Sequence, residues 1–263
     1  MKRYLFVSGS PRSGTTALTT LLNWNADVMV GQERYANLFL QRQEQFLPSL
    51  FVGGRYAAIQ NGDCGYTSFD GSGDWNLWYA AHKDLARYDH FAVVGDKITE
   101  LYRNYNVFSH PAWVQHDIDV IQILRRPEDV VASYDRRKAD PEDAWTRDAD
   151  VAVTDWSASI DQAWMQFQYR DSRFRFHIVL YESLFDVGLG PLLAGTQELY
   201  RLLGLKLPSP EQVAGFEKVY LNSEHRAKAR TASSGDWRAH VKTKVSMDVL
   251  ARYEYLKDHA MFL

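Results

Sequence analysis

The chain has 263 residues, 46% hydrophobic and 24% charged, with a formal net charge of −3. This is the profile of an ordinary globular protein, long enough for one large α/β domain, and its near-neutral balance offers no global field for nucleic acid or an anionic membrane. One cysteine, Cys64, excludes an intrachain disulfide and points to a reducing compartment. The apolar stretch "YLFV" at 4–7 is too short for a signal peptide or a membrane span. The expectation is a cytoplasmic protein with no membrane insertion and no nucleic-acid partner.

In chain order, "RYLFVSGS" reads as a short buried strand and "TTALTTLLNWN" as the helix that follows it. A second strand, "DVMV", ends at Gly31, and "RYANLFLQRQEQFL" then has helical spacing up to Pro48. Residues 52–74, rich in Gly, Asn, Asp and Ser, read as an irregular surface loop, and 51–90 as a substrate-binding lid. "FAVVGDK" and "DIDVIQILR" are further apolar, β-branched runs, the second followed by Pro127 and the helix "EDVVASYDRRKAD". "FRFHIVLY" is a fifth strand, leading into the helix "GPLLAGTQELYRLLGL". Strands alternating with helices predict a central parallel sheet flanked by helices, a three-layer sandwich like that of P-loop NTPases. The whole of 1–263 is expected to be a single domain, with ligands beyond the carboxyl ends of the strands.

Three segments carry chemistry. The first, "SGSPRSGTT" at 8–16, joins a strand to a helix. Gly9 and Gly14 permit a tight turn, backbone N–H groups converge at the positive end of the helix dipole, and Ser13, Thr15 and Thr16 add hydroxyl donors. The pattern suits a tetrahedral oxyanion. It nearly spells a Walker loop, but Thr15 stands where a P-loop kinase carries its lysine, and the basic residue is Arg12. The second, "ILRRPEDVVASY", places Arg125 at a strand end and Ser133 about two turns along a helix that opens with Pro127. The third, "RTASSGDWRAH" at 230–240, offers Arg230, Gly235 and Trp237 in a basic loop.

Together these segments resemble the sulfotransferases that use 3′-phosphoadenosine-5′-phosphosulfate (PAPS), bacterial members above all. "SGSPRSGTT" is similar to that family's 5′-phosphosulfate loop and "LRRPEDVVASY" to its 3′-phosphate motif. "RTASSGDW" resembles the C-terminal segment that covers the nucleotide, here 225–240, with Ala232 where the family usually has glycine. "LYESL" and "LYRLLGL" extend the likeness, which runs from residue 4 to about 240. The resemblance implies that Arg12 stabilises the departing bridging oxygen, the kind of positioned donor worth about 3 kcal/mol. It implies further that Arg12, Ser13, Gly14, Thr15 and Thr16 hold the sulfate end, that Arg125, Ser133 and Arg230 read the 3′-phosphate, and that Gly235 and Trp237 cover the cofactor. PAPS is the implied cofactor and 3′,5′-bisphosphoadenosine (PAP) the product. No metal is expected, since the single Cys and the scattered His show no zinc spacing.

The family's His-Leu-Pro base motif is absent from "VVGDKITELY". The resemblance to carbohydrate-modifying and bacterial members, whose base is a Glu after the second strand, points instead to Glu33. Asp96 and Lys97 are expected at the substrate side, orienting the site; His110 and His116 match no motif. The acceptor is expected to be a carbohydrate or small molecule offering a hydroxyl or amine, a class to which the aromatic and polar "GYTSFDGSGDWNLWYAAH" is suited. Two other readings stay open: a P-loop kinase of a small hydroxylated substrate, which gives Arg125, Ser133 and Arg230 no joint purpose, and a non-catalytic nucleotide-binding protein, which would tolerate loss of Glu33.

Overall fold

A computed structural model describes residues 2–57, 63, 85–141, 143, 145–220 and 236–259. The chain forms a five-stranded sheet in the order β2-β3-β1-β4-β5, made of Arg3–Ser8 (β1), Val28–Gln32 (β2), Val93–Lys97 (β3), Ile118–Leu124 (β4) and Arg175–Leu180 (β5). The β1–β3 and β2–β3 pairs run parallel. A parallel sheet with helices between its strands is the architecture that the alternating pattern predicts. Two compact units can be distinguished, residues 1–8, 15–121 and 171–177 in the first and 9–14, 122–170 and 178–263 in the second.

In the first unit, β1 to β3 are short and buried along almost their whole length, β1 by aromatic and aliphatic residues and β2 and β3 led by valines. The helix Thr15–Asn23 (α1) connects β1 to β2. Its last residue, buried Asn23, donates to the carbonyl of Val30 at 2.7 Å and accepts that residue's N–H at 2.8 Å. A side-chain amide thus completes the ladder on edge strand β2, where an open N–H and C=O would otherwise remain. Gly95 is where β3 approaches β1 too closely for any side chain, since a Cβ would lie 1.7 Å from the carbonyl oxygen of Leu5. Tyr4, Phe6, Phe46, Phe51 and Trp113 fill the core beside β1 in edge-to-face and tilted contacts.

The helix expected over 34–47 divides into Ala36–Gln41 (α2) and a 3-10 turn, Gln43–Gln45. Arg42 breaks it with φ −144° and ψ 58°, which turns Phe46 into the aromatic core. The loop expected from residue 52 begins with a short helix, Gly53–Ala57 (α3), that buries Tyr56. The remainder of that loop lies outside the described residues except for Asp63.

The second unit holds the helices Pro127–Ala139 (α4), Ala149–Tyr169 (α5), Tyr181–Phe185 (α6), Leu189–Leu202 (α7), Pro210–Tyr220 (α8), Trp237–Lys244 (α9) and Met247–His259 (α10). Proline opens α4, with Glu128 and Asp129 in its first turn and Arg136, Arg137 and Lys138 in its last, each sign matching the helix dipole. Asp148 caps α5 by accepting the N–H of Val151 at 3.1 Å. Ala152, Val153, Trp156, Ile160 and Ala163 form the buried stripe of α5, which packs against α4 and α10.

Asp119 on β4 is buried in the first unit, accepting from Arg175 at 2.8 and 2.9 Å and bonded to His177 at 2.8 Å. Burial acts to raise its carboxyl, but the donors from Arg175 and His177 outweigh it and hold the group at about 2, below the ordinary 3.8. A carboxylate depressed in the folded state contributes stability above its unfolded value and loses it as pH falls towards the folded value. Urea unfolding of Asp119→Asn followed against pH is expected to show lower stability at neutral pH and a shallower loss between about pH 4 and 2 than the parent.

Candidate functional site

The loop between β1 and α1 begins in the second unit with residues 9–14. Three of its residues take left-handed backbone angles: Gly9 at φ 152°, Arg12 at 69° and Gly14 at 102°. Both glycines are required by space as well as by φ. A Cβ on Gly9 would meet the carbonyl of Ile123 at 2.7 Å, and one on Gly14 the ring of Tyr181 at 2.3 Å. The turn is closed by the N–H of Ser13 on the carbonyl of Ser10 at 3.1 Å. Arg12 is not glycine, and a left-handed residue with a Cβ costs about 1–2 kcal/mol. Such strain is a common mark of a functional position.

Arg12 donates from Nε to the Oγ of Ser133 on α4 at 3.0 Å. Arg125, at the end of β4, donates to the carbonyl of Arg12 at 3.1 Å and lies over the ring of Tyr181 at 4.1 Å. Its own carbonyl is held by the indole N–H of buried Trp156 at 2.8 Å. Withdrawal from water, followed by the nearby charges of Arg137, Arg125 and Arg136, holds the Arg12 guanidinium below the usual arginine range; only Asp143 acts the other way. Among the described residues neither Arg12 nor Arg125 forms an ion pair with a carboxylate. Neighbouring Arg126 does, reaching Asp129 at 2.9 Å and Asp186 at 2.7 Å. Among the described residues the hydroxyl of buried Ser13 and the Nε of Arg125 have no hydrogen-bond partner. Gathered cations without a counter-ion and buried donors without an acceptor are a cradle for an anion, since each group left so is costly.

The first unit holds a second cluster at the carboxyl ends of β2 and β3. Glu33 follows β2 with φ 62°, one of three non-glycine residues with positive φ among the described residues, the others being Arg12 and Arg170. Its N–H is taken by the carbonyl of Lys97 at 2.8 Å. Its Oε1 accepts from the ammonium of Lys97 at 2.6 Å and from the hydroxyl of Thr99 at 2.7 Å. The side chains of Lys97 and Glu33 are 5% and 15% exposed, so the pair is screened from water yet still reachable at the carboxylate. Lys97 also donates to Thr16 at 3.4 Å, the hydroxyl that follows the loop. Asp96 is 0% exposed and accepts the N–H groups of Arg34 at 3.0 Å and Tyr35 at 2.7 Å. Burial pushes its carboxyl up to about 7, opposed by those N–H donors and by the charges of Lys97 and Arg34. Arg34, fully buried, pairs with Asp63 at 2.6 Å, which Arg55 also holds at 2.6 Å.

Residues 5–209 match the sequence profile of the sulfotransferase family. The chain belongs to that family. Its members move sulfuryl groups, and the protein is accordingly a transferase of that kind. The fold of this sulfotransferase is similar to that of the sulfotransferase domain of the Synechococcus PCC 7002 olefin synthase, with TM-score 0.54 and 16% identity over 98% of this chain and 96% of that one. It is similar also to the sulfotransferase from Alicyclobacillus acidocaldarius, with TM-score 0.54 and 14% identity over 97% and 96%. No curated protein matches the sequence.

Of the residues anticipated in the sulfotransferase sequence, Arg12, Ser13, Gly14, Arg125 and Ser133 come together in the second unit. Glu33, Lys97 and Thr16 come together in the first, with Asp96 beneath the turn. Thr15 is buried, at 4% exposure. Trp237 lies in the first turn of α9, whose cap is Asp236, rather than in a loop. Arg230 and Gly235 lie outside the described residues. No motif in the sequence anticipates Thr99 or Tyr181. Thr99 lies in the turn two residues beyond Lys97. Tyr181 opens "YESL", and no local signal connects it with Gly14. Among the described residues no group of His, Cys, Asp or Glu is placed to hold a metal, and no helix is long and apolar enough to cross a membrane.

Gly14→Ala is expected to lower stability in urea by about 1–3 kcal/mol through its backbone angle and the clash with Tyr181. Gly190→Ala, where an added Cβ meets nothing within 4 Å, is expected to leave stability unchanged or slightly raised.

Proposed function

We propose that this sulfotransferase moves a sulfuryl group from PAPS to a hydroxyl or amine of a small-molecule or carbohydrate acceptor, by in-line displacement, in the cytoplasm. The observation that carries the reading is the pair of guanidiniums, Arg12 and Arg125, which form no ion pair with a carboxylate among the described residues and are joined through the Arg12 carbonyl and the Ser133 hydroxyl. The residues present fit an anionic nucleotide: the N–H groups of a left-handed loop, a Ser13 hydroxyl and an Arg125 Nε with no partner among the described residues, and these two cations. PAPS supplies the activated sulfuryl group, and PAP is what remains. Ser133 and Arg125 bind the 3′-phosphate, with Arg230, Gly235 and Trp237 as further cofactor contacts. Ser13, Gly14, Thr15 and Thr16 hold the sulfate end. Arg12 neutralises negative charge on the departing oxygen.

Glu33 takes the proton of the acceptor. Its carboxylate is held by Lys97 and Thr99 through a single oxygen, an arrangement that fixes its direction. Lys97, between Glu33 and Thr16, keeps positive charge beside both, and Asp96 orients the turn.

Calorimetric titration is expected to show PAP binding at least about tenfold more tightly than ADP, with Arg125→Ala losing about 1.5–3 kcal/mol of PAP affinity, the worth of hydrogen bonds to charge. A preference for Mg²⁺–ATP, indifferent to the 3′-phosphate, would overturn the reading in favour of a kinase. Steady-state kinetics of Glu33→Gln are expected to show kcat reduced about 10²–10⁴-fold, the range for loss of a general base, with PAP affinity retained. Full turnover by that variant excludes Glu33 as the base.

A further inference from the structure

We propose that Asp96 is the positioning residue for Glu33, acting through the backbone of the turn on which Glu33 sits; this rests on the reading of Glu33 as the base. β3 ends in two consecutive residues that grip the same turn in different ways. Lys97 takes the Glu33 N–H with its carbonyl and the Glu33 carboxylate with its ammonium. Asp96 takes the next two N–H groups, Arg34 on Oδ1 and Tyr35 on Oδ2. The three N–H groups after β2 are therefore all committed to β3, and with them the backbone angle that aims the Glu33 side chain is fixed. A left-handed glutamate persists only where its surroundings over-determine it, and Asp96 supplies two of the three bonds that do so here.

The choice of residue is informative. Asp96 stands opposite Phe6 on one side and Gly31 on the other, in the middle of a buried sheet where an apolar side chain would be the ordinary occupant. A buried carboxylate is costly unless its oxygens are used. A carboxyl group offers acceptor lone pairs at both oxygens, whereas asparagine would set an NH₂ group against one of the two N–H donors. Gly31 leaves the carboxylate its room, since a Cβ there would come within 2.9 Å of Asp96 Oδ1, of the Arg34 Cβ and of the Tyr56 hydroxyl.

The test is a double-mutant cycle with PAP affinity measured in parallel. Asp96→Asn is expected to lower kcat by about 100-fold, the effect of misplacing a reacting group by an ångström. The acceptor KM and the PAP dissociation constant are expected to stay within about twofold, because the nucleotide contacts do not involve this turn. The decisive readout is non-additivity: Asp96→Asn/Glu33→Gln should be no slower than Glu33→Gln alone, since a residue that acts through Glu33 has nothing left to position. If the double variant is slower than Glu33→Gln by the full factor seen for Asp96→Asn, or if Asp96→Asn turns over like the parent, the proposal is overturned. If Glu33→Gln itself is unimpaired, the base reading fails instead, and the cycle reports that separately. Should Asp96→Asn fail to fold, Gly31→Ala replaces it in the same cycle, displacing the carboxylate without removing its charge. The expected and overturning outcomes are the same.

Discussion

The left-handed turn at Glu33 exists because β3 ends in Asp96 and Lys97. A strand end normally releases its neighbour's chain into a loop, but here the carbonyl of Lys97 and both oxygens of Asp96 capture three successive N–H groups beyond β2. Everything around the candidate base follows from that capture. The chain cannot continue as strand and cannot begin its helix until Ala36. Arg34 is turned inward, where Asp63 neutralises it and Tyr35 lies beneath its guanidinium at 4.4 Å. Tyr56 closes the space beside Gly31 and donates to the carbonyl of Gly95 at 2.9 Å. Buried charge is normally a liability, and this one is tolerable because every partner is a donor of fixed position.

The position of the Walker lysine is taken by a buried threonine, Thr15, whose carbonyl accepts the hydroxyl of Thr19 at 2.8 Å inside α1. Positive charge comes from elsewhere in each unit. In the second, the loop itself bends backwards at Arg12 and brings its guanidinium to Ser133. In the first, a strand lysine, Lys97, reaches the hydroxyl of Thr16. The cations beside this loop thus come from positions other than a Walker lysine, Arg12 in one unit and Lys97 in the other.

How much of this could be read from sequence depended on the distance between partners. The loop was legible because its determinants are local: two glycines at positions needing positive φ, a strand before and a helix after. The sheet was legible because its strands are mostly apolar runs, interrupted by single polar residues such as Asp119 and Gln122, with helical spacing between most of them. The helix α5 was not singled out, although Asp148 as cap and an apolar stripe at three- and four-residue intervals were present. Its exposed faces carry Asp150 and Asp161 and the buried stripe itself includes Asp155 and Ser159, which blurs the pattern. The break at Arg42 was invisible to periodicity, since apolar spacing runs through it; aromatic packing of Phe46 against Phe6, Phe39 and Trp113 overrides the local preference. Long-range partners such as Gly14 with Tyr181 and Glu33 with Thr99 leave no local trace. They appear only once the strand order brings residues far apart in sequence to one place.

The two arginines of "RRP" show why position alone does not identify a binding residue. Both stand at the end of β4, one residue apart, and a sequence reading can favour Arg125 only by its motif. In the folded chain Arg126 is consumed by Asp129, Asp186 and the carboxylate of Glu182, which accepts its N–H at 2.8 Å. Its charge is balanced and its geometry fixed before any ligand arrives. Arg125 is fixed just as firmly, by Trp156 at its carbonyl, Tyr181 under its guanidinium and the Arg12 carbonyl at one nitrogen, yet every one of those contacts is neutral. A cation held rigid by uncharged groups keeps its full charge for an incoming anion and needs no rearrangement to meet it. That separation of orientation from neutralisation is what favours Arg125 over Arg126 as the anion contact in the proposed function.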